Sequence, residues 1–304
     1  MQLIAYRLLS GRRPDARFGI TGHERLCIGV GGGMSVISSK ARTFYVVLPK
    51  AACTSVKTMF WELETGRDST RRGLSDRVRA RLGREVPPFP IHHLDGYVTR
   101  PFGEVAAPAG HARICLVRDP LSRLRSAWTN KVGRAVFATR GETRKVTGAG
   151  LELDPTFGYF VENLDPYREI SRPAQVHSRD YAWHLGPDLR WYDQVFRIED
   201  MPGFERFLSG RAGADIRVPR HNEGGAVQRP LAIDEGHRDL LRVLLRDDYA
   251  LLGGLYDFDR AFDRLLRASL AETPAGAPGP ALDDGGLRAE GRAEEPQRDL
   301  AFGS

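Results

Sequence analysis

The chain has 304 residues, of which 41% are hydrophobic and 28% charged. These are ordinary globular proportions with length enough for a sizeable core, and they exclude a disordered polyampholyte, a collagen-like chain and a small disulfide scaffold. The net charge is +6, from 45 Lys and Arg against 39 Asp and Glu; that is too modest to argue for nucleic acid, while the preference for Arg over Lys suits phosphate or sulfate ligands.

The opening MQLIAYRLLSGRR is too short an apolar stretch for a secretory signal, and no later run approaches the ~18 apolar residues of a membrane span. Residues 1–40 are read as an N-terminal extension. Within it, GVGGG at 29–33 lacks the spacing of a dinucleotide loop and reads as a flexible turn. From Ala41 the pattern sharpens. Phe44-Tyr45-Val46-Val47-Leu48 predicts a buried strand, ended by Pro49. Val56, Met59, Phe60 and Leu63 then recur at helical spacing, with either Thr54 or Ser55 available as N-cap. The stretch 64–84, rich in Arg, predicts a solvated surface excursion that could also meet an anionic glycan or lipid headgroup.

Arg113–Val117 predicts a second strand, and Asp119-Pro120 a helix start, with Asp as N-cap and Pro at the first helical position. Leu121, Leu124 and Trp128 give that helix its buried side; Arg123 and Arg125 read as solvated. Residues 132–176, rich in Gly, Pro and charge, read as an insertion or substrate loop, followed by a helical stretch at 177–190 and with another near 157–164. Gln194–Ile198 predicts a third strand, and Asp234 is expected to cap a helix running to Leu252. The last 34 residues, ten of them Pro or Gly, predict a tail that orders no core. The fold expected is α/β, a P-loop-like three-layer arrangement with a central parallel sheet flanked by helices, over a domain at 41–270 between the extension and a disordered tail at 271–304.

In such sheets ligands bind beyond the carboxyl ends of the strands. Two loops there have suitable chemistry. In Pro49-Lys50-Ala51-Ala52-Cys53-Thr54-Ser55, small residues permit close approach, the first N–H groups of the helix face an anion, Lys50 adds a point charge, and Thr54 and Ser55 add hydroxyls. The loop is not the Walker sequence, because its Lys precedes the small residues and it contains no Gly. In the second loop, Arg118 ends a strand and can join Ser126 around one phosphate; the competing reading of Arg118 is an ion pair with Asp119 or another nearby acid. The three cysteines, Cys27, Cys53 and Cys115, form no CxxC, which fits a reduced, cytoplasmic protein without a disulfide framework or a metal site, and contact with a membrane surface is left open.

LPKAACTSVK at 48–57 and LVRDPLSRLRSAWTNK at 116–131 resemble the 5′-phosphosulfate and 3′-phosphate motifs of carbohydrate sulfotransferases of the chondroitin and dermatan type (sulfotransferase family 2), as in a bacterial-like member. A weaker likeness covers Arg197–Met201 and the helix ending in Asp248-Tyr249. The resemblance implies metal-free transfer of a sulfuryl group from 3′-phosphoadenylyl sulfate (PAPS) to a hydroxyl of a carbohydrate or glycolipid. Pro49–Ser55 would cradle the 5′-phosphosulfate, Lys50 would meet charge on the bridging oxygen, and Arg118 and Ser126 would hold the 3′-phosphate. A general base is expected from His93 or His92, with His93 placed first; His184 and His221 rank below them. Glu199 is a candidate for acceptor positioning, and Asn222 for a contact to PAPS from a closing loop. The readings set against this are a P-loop nucleotide kinase or ATPase and a non-catalytic binder of nucleotide or polyanion on the same fold.

Overall fold

A computed structural model describes residues 35–70, 78, 81–84, 89–94, 97, 102, 106–133, 136–137, 139–219 and 229–272. GVGGG, residues 71–77, 79 and 80 of the Arg-rich stretch (with Arg71, Arg72, Arg77 and Arg79), His221, Asn222 and the tail from Thr273 lie outside the described residues.

Four short strands form one sheet in the order β1 (Ser35–Ser38), β2 (Thr43–Val46), β3 (Ala112–Val117), β4 (Gln194–Arg197). β2, β3 and β4 run parallel, but β1 is antiparallel to β2, with Ser35 opposite Val46, so the sheet is mixed rather than wholly parallel. The two central strands are buried on both faces, as their unbroken apolar runs require. Tyr45, Val47, Ile114 and Leu116 pack with Val56, Met59 and Phe60 of helix α1 (Cys53–Thr65) and with Phe204 and Leu208 of α8 (Met201–Ala212). Phe44, Val46, Leu48, Cys115 and Val117 face the other way, against Tyr181 and Leu185 of α7 (Tyr181–Leu185) and Leu252. Gly66 closes α1 in the left-handed region, φ 68°, its N–H donating to the Glu62 carbonyl.

The third strand-to-helix passage leads into a helical lobe. Helix α2 (Pro120–Lys131) lies against α4 (Phe157–Glu162), α6 (Arg172–Ser178), α9 (His237–Leu251) and α10 (Phe258–Glu272). Trp128, Phe157, Phe160, Tyr167, Leu241 and Phe262 fill the core between them. The helix expected near 157–164 is present as α4, but the expectation of a loop over the rest of 132–176 fails. That stretch holds α3 (Arg140–Gly148), α4, α5 (Leu164–Ile170) and most of α6, each too short to show a long stripe, yet three of them start on a hydroxyl cap: Thr139, Thr156 and Ser171 accept from Glu142, Tyr159 and Ala174 N–H. The 177–190 segment is likewise broken, into the end of α6 and α7. Asp234 does not cap α9; Gly236 occupies that position, and the Asp234 carboxylate accepts from His237 Nδ1 at 2.7 Å.

Asp119 does cap α2. One carboxylate oxygen accepts from Ser122 N–H at 2.8 Å and the other from the Tyr249 hydroxyl, also at 2.8 Å. The residue is 3% exposed. Removing it strips the cap and leaves a half-buried phenol without its acceptor. Asp119→Ala is expected to cost about 2–3 kcal/mol in urea unfolding, with Asp119→Asn close to wild type.

Candidate active site

The strand register sets the site. Val46 pairs with Cys115, so three residues further on the Pro49 loop and the Arg118 loop leave adjacent parallel strands side by side. The side chains confirm the approach: Arg118 Nη1 donates to the Lys50 carbonyl at 3.1 Å, and Arg123 Nε donates to the Pro49 carbonyl at 3.2 Å. Neither oxygen of Asp119 is directed to Arg118, so the local ion pair does not form.

The first loop is tight and strained. Lys50 and Ala52 both adopt positive φ, 69° and 54°, around a fully buried Ala51. Such conformations cost of order 1–3 kcal/mol each in non-glycine residues and concentrate at functional sites. Ala52 takes the N-cap position of α1, and no side chain caps it, so neither Thr54 nor Ser55 plays the expected capping role. The first N–H groups of α1 lie at its N-terminal end, where a macrodipole adds positive potential. Burial, opposed by Cys53 and aided by Lys131 and Arg118, pushes Lys50 down to about 8. Burial also lowers Arg118.

The structure brings His92 to this loop. Both histidines sit in a single 3₁₀ turn, Ile91–His93. His92 Nε2 lies 2.9 Å from Thr54 Oγ1, and its Nδ1 lies 3.4 Å from Lys57 Nζ. Lys57 is 1% exposed beneath it and donates to the Tyr97 carbonyl at 2.5 Å. Both ring nitrogens of His92 thus face the protein while the ring edge stays exposed. Desolvation first, then Lys57, Lys131 and His93, push its pKa down to about 4. His93 is exposed, and its backbone N–H serves only to close the turn on Pro90.

Ser126 is half-buried on α2, two turns beyond Arg118. Glu199, just past β4, accepts from the Tyr256 hydroxyl at 2.7 Å and faces Arg197 Nε at 3.5 Å, so it is already engaged at the edge of the site. His184 is fully buried, which holds its pKa down to about 2 and removes it from the cleft.

Arg123 overturns its expected place in solvent. It is 2% exposed, its guanidinium carbon lies 4.8 Å from the Tyr181 ring centre, and burial lowers its pKa. Tyr181, which the sequence did not single out, donates its hydroxyl to the Arg118 carbonyl. His177 was also missed. Its Nδ1 faces the Pro173 carbonyl at 2.8 Å, and burial together with nearby Lys131, Lys50 and Arg123 pushes it down to about 4. Tyr181 and His177 carry no sequence signal.

A strained lysine loop, a helix start without a side-chain cap and an arginine from the neighbouring strand meet at the carboxyl edge of the parallel strands of an α/β protein, where the candidate site lies. The model of the Sulfotransferase family matches residues 34–252, and the chain belongs to that family, whose activity is transfer of a sulfuryl group. Comparison with curated proteins and with solved structures gives no match. Among the described residues no helix is long and apolar enough to cross a membrane.

Proposed function

We propose that the protein is a PAPS-dependent sulfotransferase of the carbohydrate type, on a P-loop-like three-layer fold over residues 41–270, acting on a hydroxyl of a glycan or glycolipid. The observation that carries the reading is the bond from Arg118 to the Lys50 carbonyl, which holds the two motif loops side by side on one edge of the sheet. The N-terminal end of α1, with the Thr54 and Ser55 hydroxyls, suits the 5′-phosphosulfate; Arg118 and Ser126 suit the 3′-phosphate. Asn222 keeps its proposed contact to PAPS. The sugar acceptor, a cytoplasmic location and contact with a membrane surface rest on the chondroitin-type likeness and on composition.

In the proposed step the acceptor oxygen attacks sulfur, the bond from sulfur to the bridging oxygen breaks, and the electron pair stays on the 5′-phosphate of the nucleotide product. Lys50 meets that charge as it forms. The acceptor proton passes to Nε2 of His92, where the acceptor hydroxyl takes the place now held by Thr54. His92 is assigned as base over His93 because it is the one in contact with the loop. Desolvation, and after it the charges of Lys57, Lys131 and His93, keep it neutral until the anionic phosphosulfate offsets those charges.

Two measurements test this. The product nucleotide, 3′-phosphoadenosine 5′-phosphate (PAP), is expected to bind in calorimetry where ATP with Mg²⁺ does not; the reverse preference would return the kinase reading, and PAP binding without transfer from labelled PAPS to any glycan or lipid acceptor would leave a non-catalytic binder. The pH profile of kcat/KM reports the free enzyme. It is expected to stay flat down to pH 5.5, where a base at the ordinary ~6.5 would have lost about tenfold, and to fall above about 8 as Lys50 loses its proton. An acid limb centred near 6.5, or a His92→Ala variant as active as wild type, removes His92 from the mechanism.

A further inference from the structure

The two loops are joined by more than one bond. Pro49 and Lys50 present successive carbonyls, and each accepts from a different arginine of the second motif: Pro49 from Arg123 Nε at 3.2 Å, Lys50 from Arg118 Nη1 at 3.1 Å. Tyr181 closes the ring. Its aromatic face lies under the Arg123 guanidinium at 4.8 Å, and its hydroxyl donates to the Arg118 carbonyl. Tyr181 is itself anchored by its N–H, which donates to Asp248 Oδ1 at 2.7 Å.

This arrangement is expensive to maintain. Arg123 is almost completely buried, and its Nη2 has no hydrogen-bond partner among the described residues. Asp248 and Asp180 lie near enough to act on its charge, yet neither forms an ion pair with it among the described residues. A desolvated guanidinium with an orphan donor is a poor core residue, and an apolar side chain of similar volume would pack there with less penalty. Two residues away from the carbonyl it grips, Ala51 is fully buried, and between them Lys50 is held at φ 69°, a conformation that local sequence does not favour.

We infer that Arg123 is a positioning residue: backed by Tyr181, it clamps the Pro49 carbonyl and so holds Lys50 in the left-handed conformation from which its ammonium meets the sulfuryl donor. The significance for catalysis rests on the sulfotransferase reading, but the clamp itself is read without it. A misplacement of about 1 Å at such a centre is enough to cost a hundredfold in rate.

The test uses full-length, ligand-free protein. Acetic anhydride labelling of Lys50, followed across pH by peptide mass spectrometry, is expected to show a midpoint near 8 in the wild type, set by burial and by Cys53, Lys131 and Arg118 around it. Arg123→Lys keeps a charge facing Asp248 but loses the fork. In it the Lys50 midpoint is expected to climb toward the ~10.4 of a solvated lysine, and kcat to fall ten- to a hundredfold. If Arg123→Lys does not fold, Tyr181→Leu, which leaves Arg123 in place and removes the ring beneath its guanidinium, is expected to move the midpoint the same way by less. A folded variant whose Lys50 midpoint stays at the wild-type value overturns the inference, and so does a drop in thermal stability with that midpoint unmoved, since either outcome reduces Arg123 to a packing role. Failure of the wild type to transfer sulfate would sink the sulfotransferase reading alone, because the labelling readout needs no turnover.

Discussion

Lys50→Ala is expected to lower kcat by roughly 10²–10³-fold, the range lost when one preorganised electrostatic group is removed from a transition state, while the KM for PAPS changes little. The difference follows from where the charge is. In the bound donor the bridging oxygen carries little charge; it gains charge as the bond to sulfur breaks and holds it fully in PAP. A cation aimed at that oxygen therefore stabilises the transition state and product more than the ground state. PAP affinity should accordingly fall about tenfold in the same variant, more than PAPS affinity does. A second expectation concerns stability. Lys50 sits at positive φ, half-buried, with a pKa drawn down to about 8 by burial and by neighbouring Lys131 and Arg118. Every one of those features is unfavourable to the folded state. Lys50→Gly should thus melt higher than wild type, by about 2–4 °C for each kcal/mol of strain and desolvation removed. If Lys50→Ala keeps full turnover, or if it loses PAPS and PAP affinity equally with kcat unchanged, the lysine is a general anion contact and not the group that meets the leaving oxygen.

What the sequence made legible follows from how much signal each element could carry. β2 and β3 lie in continuous apolar runs that close on Pro49 and on Arg118-Asp119, a pattern with few alternatives, and both candidate loops follow from them directly. β1 was invisible because four residues, Ser35–Ser38, show no periodicity and follow a glycine-rich stretch. Within the helical lobe α4 is legible, near the expected 157–164, whereas α3, α5 and the start of α6 are not: these helices run seven to nine residues, too short for a stripe, and their glycines and prolines read as loop; Thr139 with Glu142 three residues on is the start signal of α3. α10 was missed because its pattern, Phe258, Ala261, Phe262, Leu265 and Ser269, merges into the tail. At the site, composition located the loops but gave no side-chain depth. Arg123 and Lys57 are cations at 2% and 1% exposure, and only tertiary partners, the Pro49 and Tyr97 carbonyls, reveal why they are tolerated inside. The same is true of the histidine pair, where one residue of chain separates a ring touching Thr54 from a ring in solvent.

Arg118→Ala is expected to weaken PAP binding by about 10²–10³-fold, since charge-assisted bonds to a phosphate contribute about 1.5–3 kcal/mol each and a guanidinium can form two. The side chain is placed for this. It is part-buried at the end of β3, its own carbonyl is fixed by Tyr181, and Nη1 is held by the Lys50 carbonyl, leaving the rest of a five-donor fork to meet a ligand. Loss of the arginine also frees the Lys50 carbonyl, so a fall in affinity alone does not locate the contact. Comparison with adenosine 5′-monophosphate, which lacks the 3′-phosphate, separates the two effects. In the wild type, deleting that phosphate from the ligand should cost about as much as deleting the guanidinium from the protein. In Arg118→Ala, deleting the phosphate should cost less than about threefold, because its partner is already gone; the coupling in this double cycle is the energy of the contact itself. Arg118→Lys keeps the charge without the bidentate geometry and should recover only part of the affinity, leaving a deficit of about tenfold. Equal losses for both nucleotides in Arg118→Ala, with no coupling, would place the 3′-phosphate elsewhere and leave Arg118 only as the tie between the two loops.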